Sequence, residues 1–300
     1  MSKLIACYRG NVNSWECDQM GHMNVQFYMA RGSEAFGHFQ NALGLSPPVI
    51  RESKKGLRFK SLRIQFKAEV HAGSILHGLC GMREVVGDIL HGFIHLYDTA
   101  YNRLSAVFEF SAVYTDFFSN EALPLPSSLR ETVEALCDEH PDIYLPAPFS
   151  GTLMPCSSLD HMFESSRSSV NTWECDNFNH IEMRHIVGYF SDAATHIIGA
   201  IGLTRAEIRR RNLGSAALDY YTEFHAPIKM STPIVLKSGL ISAERKIFRF
   251  GHNLVDLDSG DIAVTTTVVG CYFDMSLRKS VALPDEFTNY PKEKWLSAQL

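Results

Sequence analysis

One thirteen-residue phrase occurs twice in this chain. VNSWECDQMGHMN begins at Val12 and VNTWECDNFNHIE at Val170, a separation of 158 positions. At that separation Ser33, Ala35 and His38 fall on Ser191, Ala193 and His196, and Gly44-Leu45 falls on Gly202-Leu203. Phe66 and Ala68 fall on Phe224 and Ala226, and Tyr114 and Asp116 on Tyr272 and Asp274. Chance does not hold one register over about a hundred residues, so the chain reads as two copies of one unit. The boundaries read as a first unit over 1–126, a Pro-rich linker over 127–159 and a second unit over 160–300. Within the linker, SSLRETVEALCDEH predicts a short helix with a capping box from Ser128 to Glu131 and an apolar stripe of Leu129, Val133 and Leu136.

Each copy has the same internal order. A short extended segment leads into WECD, and a helical pattern follows. In the first copy Val25, Tyr28, Met29, Ala35, Phe36, Phe39 and Leu43 recur at steps of three and four. Gly32 and Gly37 lower helix propensity but let a neighbour pack closely. In the second, MRHIVGYFSDAATHIIGAI is apolar on more than one side, as for a helix wrapped by other structure. β-rich runs separated by turn signals come next, starting with RIQFKAEV in the first copy and YYTEFHAPI in the second. One long helix with four or more antiparallel strands is an α+β unit. A curved sheet around a single helix leaves a long edge that needs covering, and a duplicated unit supplies the cover. The expected architecture is therefore an intrachain pseudo-dimer.

Bulk properties exclude several classes. Hydrophobic residues are 45% and charged residues 20% of the 300, a globular composition. No apolar run is long enough for a membrane span. The N-terminal stretch is too short and too interrupted for a secretory signal. Seven scattered cysteines fit reduced thiols, so the expected location is cytoplasmic. A net charge of −5 argues against general nucleic-acid binding.

An N-terminal strand, then D-x-x-G-H-x-N at the start of a long helix, then a strand meander, resembles the hotdog-fold acyl-CoA thioesterases of the 4-hydroxybenzoyl-CoA thioesterase class. Glu16, Asp18, Gly21, His22, Asn24 and Tyr28 carry the pattern. The resemblance covers nearly the whole chain as a tandem double hotdog. It implies hydrolysis of an acyl-CoA thioester, with Asp18 essential. It also implies no cofactor, since coenzyme A is part of the substrate, and it leaves open a homodimer of double hotdogs. In the second copy Asp176 and His180 match, but Asn179, Glu182 and Ile186 stand where the first copy has Gly21, Asn24 and Tyr28. One intact site and one degraded site are expected.

Thioester hydrolysis needs an attacking oxygen and a stabiliser for the oxyanion. Asp18 serves either as nucleophile, giving an acyl-enzyme anhydride, or as the base that positions water. His22 and Asn24 are expected to support it, and Gly21 and Tyr28 to line the substrate. A position just ahead of a helix places Asp18 in a field of about 0.3–1 kcal/mol that favours the carboxylate. The N–H groups of the first helical turn are natural oxyanion donors. A strand through this segment puts Glu16 and Asp18 on one face and Trp15 and Cys17 on the other. The plainer readings are Asp18 as a helix cap and His22 bonded to backbone. Trp15 and Trp173 are expected in the core, and Cys17 and Cys175 as buried small residues. No spacing supports a metal site. For the phosphates of CoA, RESKKGLRFKSLRIQFK (Arg51 to Lys67) is strongly basic, with Lys54, Lys55 and Arg58 as candidates. Arg205, Arg209, Arg210 and Arg211 are the corresponding group in the second copy. A hydratase on the same fold and a non-catalytic acyl-thioester binder are the alternatives.

Overall fold

A computed structural model describes residues 3–137 and 159–296. It divides into two compact units. One holds 3–137 with 176–178, the other 159–175 and 179–296. Residues 138–158, most of the expected linker, lie outside the described residues.

In the first unit β1 (Ile5–Asn11) precedes the long helix α1 (Val25–Ala42) and the short α2 (Pro47–Ser53). β2 (Lys55–Phe66), β3 (Ile75–Val86), β4 (Ile89–Asp98) and β5 (Arg103–Asp116) follow, then α3 (Ser127–Leu136). The antiparallel order is β1-β3-β4-β5-β2. The second unit repeats it. β6 (Phe163–Ser169), α4 (Met183–Ala200) and α5 (Arg205–Arg210) lead to β7 (Leu213–Phe224), β8 (Pro233–Glu244), β9 (Ile247–Asp256) and β10 (Ile262–Asp274). Their order is β6-β8-β9-β10-β7, with β11 (Lys279–Ser280) on β10 and α6 (Asp285–Asn289) after it. Both are hotdog units, each a sheet curved around one helix.

The repeat extends to the irregularities. β1 bulges between Ala6 and Tyr8, and β6 between Glu164 and Ser166. β3 bulges between Met82 and Glu84, and β8 between Leu240 and Ser242. An extra residue on one strand bends it and increases twist, which is how a flat ladder becomes a wrap. The bulges repeat because the curvature does.

Each helix fills its own wrap. Asn24 caps α1, its side chain accepting from the Gln26 N–H at 2.9 Å. Tyr28, Met29, Phe36 and Phe39 on its inner face are buried. Phe36, Phe59 and Phe110 pack ring to ring, with centroids 4.0–5.5 Å apart. Gly32 permits a close approach, since a Cβ there meets Phe108 at 2.6 Å, whereas one at Gly37 meets nothing within 4 Å. α4 buries Ile186, Val187, Phe190 and Ile197. Phe190 stacks on His252, which belongs to a buried chain in which Ser165 Oγ lies 2.7 Å from Ser238 Oγ and Ser238 Oγ 2.8 Å from His252 Nδ1. The matching positions of the first unit hold Cys7 and Cys80, both buried, and Ile94.

Several expectations are corrected. The basic stretch after α1 is the end of α2 and strand β2, whose ladder with β5 begins at Lys55. α3 starts at Ser127 with Pro126 at its N-cap and no side-chain cap bond, so the box from Ser128 to Glu131 does not form. Ser128 lies inside the helix, where its carbonyl accepts from the Thr132 hydroxyl at 2.8 Å. Leu129 and Val133 are buried as the stripe requires. Among the described residues no helix is long and apolar enough to cross a membrane.

Candidate active site

The segment after β1 is not a strand. Ser14–Glu16 is a 3₁₀ turn, because the Asn13 N–H donates to the Glu16 carboxylate at 2.8 Å. The second unit builds the same turn over Thr172–Glu174, with the Asn171 N–H on Glu174 at 2.7 Å. Glu16 is buried and pairs with Arg31 of α1. At the place of Arg31 the second unit has Tyr189, whose hydroxyl donates to Glu174 at 2.8 Å. The repeated Glu thus ties the turn to the helix. The two tryptophans point outward, each 74% exposed, so they are not core. Cys17 and Cys175 are only half-buried.

A tight loop follows. Cys17 bridges Met23, the Asp18 N–H donates to the His22 carbonyl at 2.9 Å, and the Gly21 N–H returns to the Asp18 carbonyl at 3.0 Å. Gly21 closes it at φ +84°. Asn179 takes its place at φ +63°, the non-glycine residue type that tolerates this backbone well, so that departure keeps the turn. His71 fixes the loop from outside, its Nδ1–H donating to the Gly21 carbonyl at 2.9 Å.

The loop brings Asp18 and His22 together. His22 Nδ1 lies 3.4 Å from Asp18 Oδ2, and the His22 ring is buried. Asp18 is not the cap of α1, which starts seven residues later and is capped by Asn24. Its carboxylate instead accepts the Met20 N–H at 2.8 Å. Burial pushes its pKa up, but the hydrogen bonds from the His22 ring and the Met20 N–H, with the His22 charge, more than offset it. The carboxyl ends below its ordinary value and stays ionised.

The other expected residues sort differently. Asn24 is a helix cap. The Gln26 N–H is taken by the Asn24 side chain and the Phe27 N–H by the Asn24 carbonyl at 2.9 Å, so these two are not open oxyanion donors. Tyr28 is buried beneath the loop and donates to the Ala68 carbonyl at 3.1 Å, and burial raises its pKa. Lys54, Lys55 and Arg58 gather around the turn after β5. The Phe117 N–H donates to the Lys54 carbonyl at 2.8 Å, and Lys54 Nζ sits 5.3 Å from the Phe118 ring. Arg58 donates to Asn120 at 2.8 Å and stacks on Phe117. In the second unit Glu207 pairs with both Arg210 and Arg211, and Glu286 takes Arg211 as well. Those two carboxylates offset two of the four arginine charges in that cluster. Asp176 accepts the Phe178 N–H at 2.8 Å, repeating the Asp18 turn, but Glu182 at the start of α4 makes no side-chain cap bond.

Sequence reasoning missed Glu69. It lies in the link between β2 and β3, and its Oε1 is 3.6 Å from His22 Nε2. The signal in the sequence was a difference within the repeat, since Pro227 stands at the matching place. Among the described residues no group of His, Cys, Asp and Glu is arranged to hold a metal ion.

Two hotdog units, each with a carboxylate-bearing turn ahead of its wrapped helix, define a protein of the acyl-thioester-handling class. The chain belongs to the thioesterase-like superfamily, whose profile matches residues 12–133 and again 170–290. Thioester hydrolysis is the reaction class that goes with it. No curated protein matches the sequence. Solved structures with a similar fold include an acyl-ACP thioesterase from Bacteroides thetaiotaomicron, at 11% identity and TM-score 0.65, covering 89% of this chain and 98% of that one. Another is the 12:0-ACP thioesterase from Umbellularia californica, at 9% identity and TM-score 0.63, covering 90% and 95%.

Proposed function

We propose that this protein hydrolyses an acyl-CoA thioester to the free acid and CoA, with Asp18 as nucleophile or as the base that positions water. The observation that carries the reading is the Asp18 carboxylate, held ionised beside His22 on a turn fixed by Gly21. An ionised oxygen is what both routes require. As nucleophile, Asp18 bonds the acyl carbon, the C–S bond breaks with its electron pair on sulfur, and water then opens the anhydride. As base, it takes a proton from the water that attacks directly. The reaction needs no cofactor beyond the CoA of the substrate. Lys54 and Lys55, on the exposed side of the turn after β5, are our candidates for the CoA phosphates. Arg58, committed to Asn120 and Phe117, is a weaker one.

Two of the similar folds are described as acting on acyl-ACP, so the test pairs carriers. Thiol release is measured from a panel of acyl-CoAs and from matched acyl-ACPs, with wild type and Asp18→Ala. We expect turnover of acyl-CoA and a loss of at least about a hundredfold in kcat for the variant, with acyl-CoA binding retained. Release from acyl-ACP alone moves the substrate to the carrier protein. Binding without release from any member overturns the enzyme reading in favour of a binder.

A further inference from the structure

Glu69 is placed to act on the group that acts on Asp18. The His22 ring is 9% exposed at its side chain, with Nδ1 toward Asp18 at 3.4 Å and Nε2 toward Glu69 at 3.6 Å. The two nitrogens point away from each other, so the ring lies between two carboxylates. The backbone around Glu69 is pinned. The Arg103 guanidinium donates to its carbonyl at 3.1 Å, and the next residue, Val70, accepts from the Met23 N–H at 2.9 Å. These bonds tie the link between β2 and β3 to the loop that carries Asp18.

We propose that Glu69 is a positioning residue, holding the His22 imidazole from the Nε2 side so that its Nδ1–H stays aimed at the Asp18 carboxylate. The proposal rests on the thioesterase reading of Asp18 and adds a part to it. At 3.6 Å Glu69 acts on the ring as a nearby charge rather than through a hydrogen bond. A carboxylate on each side therefore favours the imidazolium, whose charge helps keep Asp18 ionised. Other charged and titratable groups near the ring are His71, with ring centroids 6.4 Å apart, Arg103 on the Glu69 carbonyl, and Tyr28, which interacts with Glu69, Arg103 and Cys17. Glu69 is 42% exposed at its side chain, so solvent weakens its pull without cancelling it. The second unit has Pro227 there, which carries no carboxylate.

The test uses the full chain with Glu69→Gln and Glu69→Asp. The His22 ring is followed by NMR against pH, its signal assigned by loss in His22→Asn. We expect the His22 midpoint in E69Q to move to lower pH by about 0.5–1 pH unit, and E69D to restore most of it. We also expect kcat in E69Q to fall about tenfold, with KM within about twofold of wild type. An unmoved His22 midpoint, or an unchanged kcat in E69Q, overturns the proposal. A wild-type chain that releases no thiol overturns the thioesterase reading instead. The His22 midpoint in E69Q then decides the Glu69 contact by itself.

Discussion

Asn24 belongs to the same short motif as Asp18 but does a different job. Its side chain caps α1, whereas Glu182 at the matching place makes no cap bond. We expect Asn24→Ala to cost about 1 kcal/mol, and Glu182→Ala less, read as midpoints of urea unfolding. The motif was legible in the sequence, but its division of labour was not. D-x-x-G-H-x-N pointed to Asp18, His22 and Gly21, and all three shape the loop. In the structure Asn24 caps the helix that follows, and Tyr28 ties that helix to the Ala68 carbonyl. The outward tryptophans show why repetition is not burial. What the turn demands is Asn at one end and Glu three residues on, and that demand, with the tie from Glu to the helix, keeps the phrase. Glu69 was invisible because its neighbour in space, His22, lies 47 positions away in a loop whose path only the fold reveals.

The long elements were read well where their periodicity was strong. α1 and α4 start and end within a residue or two of the expected limits. β2 was read as starting late, because Arg and Lys on alternate positions masked a strand whose other face packs on the helix. The polar chain inside the second unit was not legible at all. His252 is fully enclosed, and burial holds its pKa down at about 3. In the unfolded chain a histidine takes up its proton near pH 6.5. Above that pH the neutral ring is at home in both states. As pH falls from about 6.5 toward 3, the unfolded state binds the proton and the folded state does not, so stability drops. Each pH unit in that window costs about 1.4 kcal/mol. His95 in β4 adds a similar slope, since burial and then Arg83 bring it to about 4. We expect stability by urea unfolding to fall between pH 7 and pH 4, with a slope shallower by about one proton in His252→Asn.

The described chain carries one architecture written twice, and the candidate site differs between the two copies. Helices, strands and bulges recur at an offset of 158 positions, so the duplication was legible from the repeat, and the fold of each copy from its periodicity and motif. The site is not repeated so closely. The second copy of the repeat keeps Asp176, His180 and the left-handed turn at Asn179, but lacks the helix cap bond at Glu182 and has Pro227 in place of Glu69. We therefore expect Asp176→Ala to lower kcat for acyl-CoA several-fold at most, well short of the loss in Asp18→Ala in the same thiol-release assay. The outward set of Trp15 and Trp173 has an optical consequence. Both indoles are bathed in water in the native state, and only Trp295 is partly sheltered. Intrinsic emission then starts near its red limit, and denaturation shifts its colour little. Three residues from Asp18 and from Asp176, the same two indoles are well placed for quenching by a ligand that docks at either loop.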